Sequence, residues 1–132
     1  MRKVTKSQVH VTLAPRPDSV RVAREVISSL YATTFMAADA DTALLLVSEL
    51  VSNAILHARS TIGLTATGTP DGLRVEVTDA STRPPLPRYD VADAATGRGL
   101  LLVDQLADSW GFDTPGPDGK TVWFELAAKR AC

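Results

Sequence analysis

The chain has 132 residues, 45% of them hydrophobic, at a mean hydropathy of +0.04, which suits one ordinary core and a single domain over residues 1–132. Fourteen basic against fifteen acidic residues leave a formal charge of −1, which excludes the long basic face of a protein held mainly by nucleic-acid phosphates. No span-length apolar run or signal-peptide core follows the basic start Met1–Lys6, and the only cysteine is Cys132. A cytoplasmic protein with no membrane span, internal disulfide or cysteine-built metal site is therefore expected.

Val9, Val11 and Leu13 alternate with Gln8, His10 and Thr12, the period-two mark of a strand with one covered face, on which His10 points outward. Arg16-Pro17-Asp18-Ser19 offers a stop and an N-cap, and Val22, Val26, Ile27 and Leu30 recur at helical spacing up to about Phe35. Asp39 or Asp41 caps a second helix that fades near Arg59-Ser60 and draws its core face from Leu44, Val47, Val51, Ala54 and Ala58. Glu49, Asn53 and His57 stand at four-residue intervals on this apolar helix, one slowly rotating polar stripe that asks for water, metal or ligand.

Two strands follow, Thr61 to Thr67 and Leu73 to Asp79, joined by the turn Pro70-Asp71-Gly72. From Ala80 to Thr96 a long proline-bearing stretch loses apolar periodicity, and loops of that length usually carry a function or are disordered. Gly97-Arg98-Gly99 opens a third helix with Leu100, Val103, Leu106 and Ala107 inward, stopping near Trp110-Gly111. A hairpin closes the chain, a short strand around Trp110 to Asp113 and a strong one from Thr121 to Ala127, turning at Pro115–Gly119.

This order has too few strand-helix-strand units for a doubly wound sheet. It predicts an α+β fold, a two-layer sandwich in which a mixed, mostly antiparallel sheet carries helices on one face. Thr65, Arg74, Glu76, Thr78, Thr121 and Glu125 fall on the other face, which solvent accounts for, although Trp123 among them hints at a contact surface.

Three signals carry chemistry together. Asn53 offers a neutral carbonyl oxygen that suits Mg²⁺, or else a hydrogen bond to backbone. Glu49 can take a proton from an attacking hydroxyl or be a solvated helix-face charge, and His57 can approach a phosphate or serve the helix C-terminus. Asp79, at a strand end, can cap the following turn or accept from an exocyclic amine. Gly97-x-Gly99 before a helix lets backbone amides face an anion, or is a plain hinge.

These residues resemble the motifs of the GHKL ATPase/kinase superfamily, whose nucleotide site is the Bergerat fold. Glu49-Leu50-Val51-Ser52-Asn53-Ala54-Ile55-Leu56-His57-Ala58 looks like its N box, Val77-Thr78-Asp79 like the start of its first glycine box, and Gly97-Arg98-Gly99-Leu100-Leu101-Leu102-Val103 like its second. Gly119-Lys120-Thr121-Val122-Trp123-Phe124 resembles its closing strand. The motifs run in the family's order over most of the chain and are most similar to the small anti-sigma-factor serine/threonine kinases of bacterial switches.

The resemblance implies ATP and Mg²⁺ as cofactors. It implies that Asn53 holds the metal between phosphates, that Asp79 accepts from the adenine amine, and that Gly97, Gly99 and the start of the helix at Leu100 approach the phosphates. Arg98 would add a phosphate contact or be a plain surface charge, Thr121 would support the adenine end, and Glu49 would be the base acting on a substrate serine. It also implies an anti-sigma-factor antagonist of the STAS type as substrate, a sigma factor as a second partner, and a homodimer. The chain departs from the family's Asp-x-Gly-x-Gly pattern with Ala80-Ser81-Thr82-Arg83-Pro84-Pro85, so a candidate lid over Ser81 to Thr96 is expected to be stiffer. A non-catalytic nucleotide-sensing module is the competing reading. The catalytic part of a histidine kinase and a DNA-clamping ATPase fit less well, for want of a phosphoacceptor helix pair or a transducer domain in these residues.

Overall fold

The computed structural model describes residues 2–81, 98–116 and 119–128. Eight elements follow in the order β1 (Ser7–Leu13), α1 (Ser19–Thr33), α2 (Ala40–Ala58), β2 (Ile62–Thr69), β3 (Gly72–Asp79), α3 (Arg98–Leu106), β4 (Ser109–Gly116) and β5 (Gly119–Ala127). The five strands form one open sheet in the order β1-β2-β3-β5-β4, and every neighbouring pair is antiparallel. The sheet is thus antiparallel throughout rather than mixed: β2–β3 and β4–β5 are hairpins, while β1 leads to β2 through α1 and α2, and β3 leads to β4 through α3.

Period-two patterning sets the sheet's two faces. Ile62, Leu64 and Ala66 of β2, Leu73, Val75 and Val77 of β3, and Val122, Phe124 and Leu126 of β5 are buried beneath the helices. The alternate residues make a polar outer face that is bonded within itself. His10 Nδ1 meets Thr65 Oγ1 at 2.8 Å, Gln8 Nε2 donates to Thr67 Oγ1 at 2.9 Å, and the Arg74 guanidinium lies 4.3 Å from the Trp123 ring centroid. Arg74 also reaches Glu76 and Glu125 at 3.6 and 3.5 Å. Trp123 is therefore covered by a cation stacked on its face.

The helices complete the inner layer. Asp39 caps α2, its Oδ2 accepting from Thr42 N at 3.1 Å, whereas Asp18 stands at the N-cap of α1 without a side-chain cap bond. α1 ends at Thr33, two residues before Phe35, which is exposed. α2 buries Ala43, Leu46, Val47, Leu50, Val51 and Ala54, while Leu44 and Ala58 are only half-buried. Its core face is wider than the expected stripe because it packs against α1, α3 and the sheet at once. Arg24 of α1 clasps α2 through Leu44 O at 3.1 Å and Ser48 Oγ at 2.8 Å. In α3, Leu100 and Val103 are buried but Leu106 is exposed, since the helix stops there and Trp110 of β4 takes over the packing. Trp110 Nε1 donates to Asp104 Oδ1 at 2.8 Å and fixes that exit.

Candidate functional site

The polar stripe lies on the second half of α2. Glu49 and Asn53 are half-buried and one turn apart, and among the described residues neither side chain makes a hydrogen bond or ion pair. A half-buried carboxylate and amide without protein partners carry a desolvation cost that water or a ligand must offset. His57 is exposed in the last turn, just before Arg59 closes α2 in the left-handed region at φ 51°. That position serves the negative helix end, and a phosphate contact is not needed to account for it.

Beyond Arg59, Ser60 Oγ accepts from Ala80 N at 3.1 Å and ties the exit of α2 to the end of β3. Asp79 sits at that end and is buried, as is Lys120 across the β3–β5 pair. The Lys120 ammonium donates to both carboxylate oxygens of Asp79, at 3.0 Å each, and Ser81 N donates to Oδ1 at 2.8 Å. A Cβ on Gly119 would run into the Asp79 carbonyl, so glycine permits the close approach that brings the ammonium to the carboxylate. Asp79 thus both caps the chain's turn out of β3 and joins a buried ion pair.

Thr121 is not brought to this group. Its hydroxyl lies on the outer face of the sheet, 2.8 Å from Thr78 Oγ1, while the inner position beside it belongs to Lys120. Lys120 is the site residue that sequence reasoning missed. Parity could have found it: Lys120 shares a face with Val122, Phe124 and Leu126, and Asp79 with Leu73, Val75 and Val77, so both charges were bound to turn inward and meet.

α3 packs against α2, and its first residues are Arg98 and Gly99, followed by buried Leu100. Among the described residues the first turn of this helix carries no acidic side chain, which suits an anion at a helix N-terminus. Gly97 and nearly all of the candidate lid, Ser81 to Thr96, lie outside the described residues.

Residues 13–126 match the family described as the histidine kinase-like ATPase domain. The chain belongs to this ATPase family. Its fold is similar to that in the crystal structure of the RsbU and RsbW domains of Rv1364c from Mycobacterium tuberculosis, with a TM-score of 0.66 and 19% sequence identity. That match covers 92% of this chain and 32% of the other, so the chain spans about a third of its length. No curated protein matches the sequence. Membership makes this an ATPase-type nucleotide-binding domain, and the antiparallel sheet with its helical layer is the fold expected of it. No helix among the described residues is long and apolar enough to cross a membrane.

Proposed function

We propose that the chain is an ATP-binding regulatory protein of the anti-sigma-factor type that transfers phosphate to a serine or threonine of an anti-sigma-factor antagonist of the STAS type, and that it binds a sigma factor as a second partner. The observation that carries this reading is the pair Glu49 and Asn53, without partners among the described residues, on a helix packed against α3, whose first turn has no acidic residue. Phosphoryl transfer asks chiefly for positioning, a cation and an oriented nucleophile, and these elements supply the protein's share.

In this reading the α3 amides bind the phosphates and Asp79 accepts from the adenine amine. Asn53 would hold Mg²⁺ through its carbonyl oxygen; the ion, when bound, neutralises phosphate charge. The fit is chemical: Asn53 is half-buried with no partner for its side chain among the described residues, and Mg²⁺ needs only one or two protein oxygens beside water and phosphate. Glu49 accepts the proton of the substrate hydroxyl as its oxygen attacks the terminal phosphorus. The bond from that phosphorus to the β–γ bridging oxygen breaks, and ADP leaves.

One observation favours a second reading, a nucleotide-sensing module without transfer. After Asp79 the chain has Ala80-Ser81-Thr82-Arg83-Pro84-Pro85 in place of the family's Asp-x-Gly-x-Gly pattern, and partner binding makes separate demands from catalysis. Incubation of the purified protein with labelled ATP and candidate antagonist proteins from the same genome separates the two. Label on a serine or threonine of an antagonist supports the kinase. Saturating ATP binding without label on any candidate leaves the module.

A further inference from the structure

Lys120 and Asp79 do more than neutralise each other. An ammonium has three donors and a carboxylate about four acceptor positions. Lys120 directs its ammonium at the two oxygens of Asp79 and has no other acceptor among the described residues. Asp79 receives those two contacts and the amide of Ser81 on Oδ1, so an acceptor position remains on Oδ2. Among the described residues, one donor of the Lys120 ammonium and one acceptor position of the Asp79 carboxylate thus have no partner, within a pair whose residues are each only 5% exposed. Such a pair is costly to leave incomplete in a buried setting.

The Watson–Crick edge of adenine is the complementary pattern, an exocyclic amine that donates next to a ring nitrogen, N1, that accepts. We propose that Lys120 is a second base-reading residue: with Asp79 accepting from the amine, the Lys120 ammonium donates to N1, so the two side chains read adenine as a unit. This rests on Asp79 being the adenine reader of the proposed site. It assigns Lys120 a role in choosing the base, separate from any role in holding the strands together. Guanine presents a carbonyl and an N–H in the reverse order along the same edge, so it meets the pair out of register.

Calorimetric titration of ATP and 1-deaza-ATP, which keeps the amine but has C–H in place of N1, tests the assignment on the wild-type protein and on Lys120→Met. The wild type should prefer ATP by about tenfold or more, the value of a hydrogen bond to a charged group. Lys120→Met should lower ATP affinity and bring the two nucleotides within about twofold of each other. A variant that keeps the wild-type preference, or binds ATP more tightly than the wild type does, overturns the proposal, the second result showing an ammonium that obstructs the base. Should Lys120→Met fail to fold, equal affinities on the wild type alone are enough to overturn it. Absence of ATP binding to the wild type removes the nucleotide site itself and is read separately from loss of preference at an ATP site that binds.

Discussion

Thr78 and Thr121 share a hydroxyl hydrogen bond of 2.8 Å on the outer face of the sheet, while their chain neighbours Asp79 and Lys120 pair on the inner face. One residue of register thus separates a solvent-facing contact from a buried charge pair. Thr121→Val should leave nucleotide affinity within about twofold and cost about 1 kcal/mol or less, the scale of a cross-strand pair. Titration and urea unfolding measure both. An affinity loss of tenfold or more would return Thr121 to the base site.

The Asp79–Lys120 pair carries a different penalty. Asp79→Asn leaves the ammonium buried beside a neutral amide, and removal of one partner from a buried pair costs about 3–5 kcal/mol. Combining Asp79→Asn with Lys120→Met should recover most of that loss, because no unpaired charge is left behind. Urea unfolding of the two single variants and the double variant gives the coupling. A loss below about 1 kcal/mol for Asp79→Asn would mean that water reaches the pair. Any fall in ATP affinity of that variant has to be compared with its folded fraction before it is credited to adenine reading.

Much of this arrangement is legible in the residues, and the exceptions have physical causes. Strands β2, β3 and β5 declare themselves through alternation, since each has one buried face and one wet one. α2 is apolar on most sides, so periodicity could not choose between Leu44 and the buried Ala43, Leu46 and Leu50; that choice is made by packing against two helices and a sheet. β4 runs on to Gly116, past the expected end at Asp113, through a register shift that alternation does not reveal. Within the candidate site, Glu49 and Asn53 stood out because they break an apolar pattern. Lys120 did not, because a charge beside a turn reads as solvent-facing until its parity is counted.

Tyr31 provides a pH dependence. Its hydroxyl donates to Ala38 O at 3.0 Å, and burial, then the charge of Asp39, push its pKa up from 10.0 to about 12. The folded state holds the proton more tightly than the unfolded one, so the stabilisation is complete below pH 10 and is lost as pH rises from about 10 through about 12. With partial exposure discounted, the loss is about 1–2 kcal/mol. Urea unfolding at pH 9 and pH 11.5 should show a shallower decline for Tyr31→Phe than for the wild type. Parallel declines would remove Tyr31 as the source.

Glu49 and Asn53 share a helix face and an environment, yet the proposed chemistry gives them different kinetic signatures. Glu49→Gln keeps size and hydrogen-bonding capacity but removes the basic carboxylate, so ATP should still bind while phosphate transfer falls by about 10² to 10⁴, the usual range for a general base. Asn53→Ala removes the proposed metal ligand, so the Mg²⁺-dependent part of ATP affinity should fall and transfer with it. If the pair merely decorates a solvated helix face, each substitution should change stability and function little. Single-turnover transfer from Mg-ATP to an antagonist protein, run beside a binding titration with and without Mg²⁺, resolves the cases. A Glu49→Gln protein that transfers at the wild-type rate would remove the base assignment, and an Asn53→Ala protein with unchanged Mg²⁺ dependence would remove the metal ligand. Loss of transfer with binding retained at Glu49, set against loss of Mg²⁺-dependent binding at Asn53, is the pattern that a kinase site built on this helix should give.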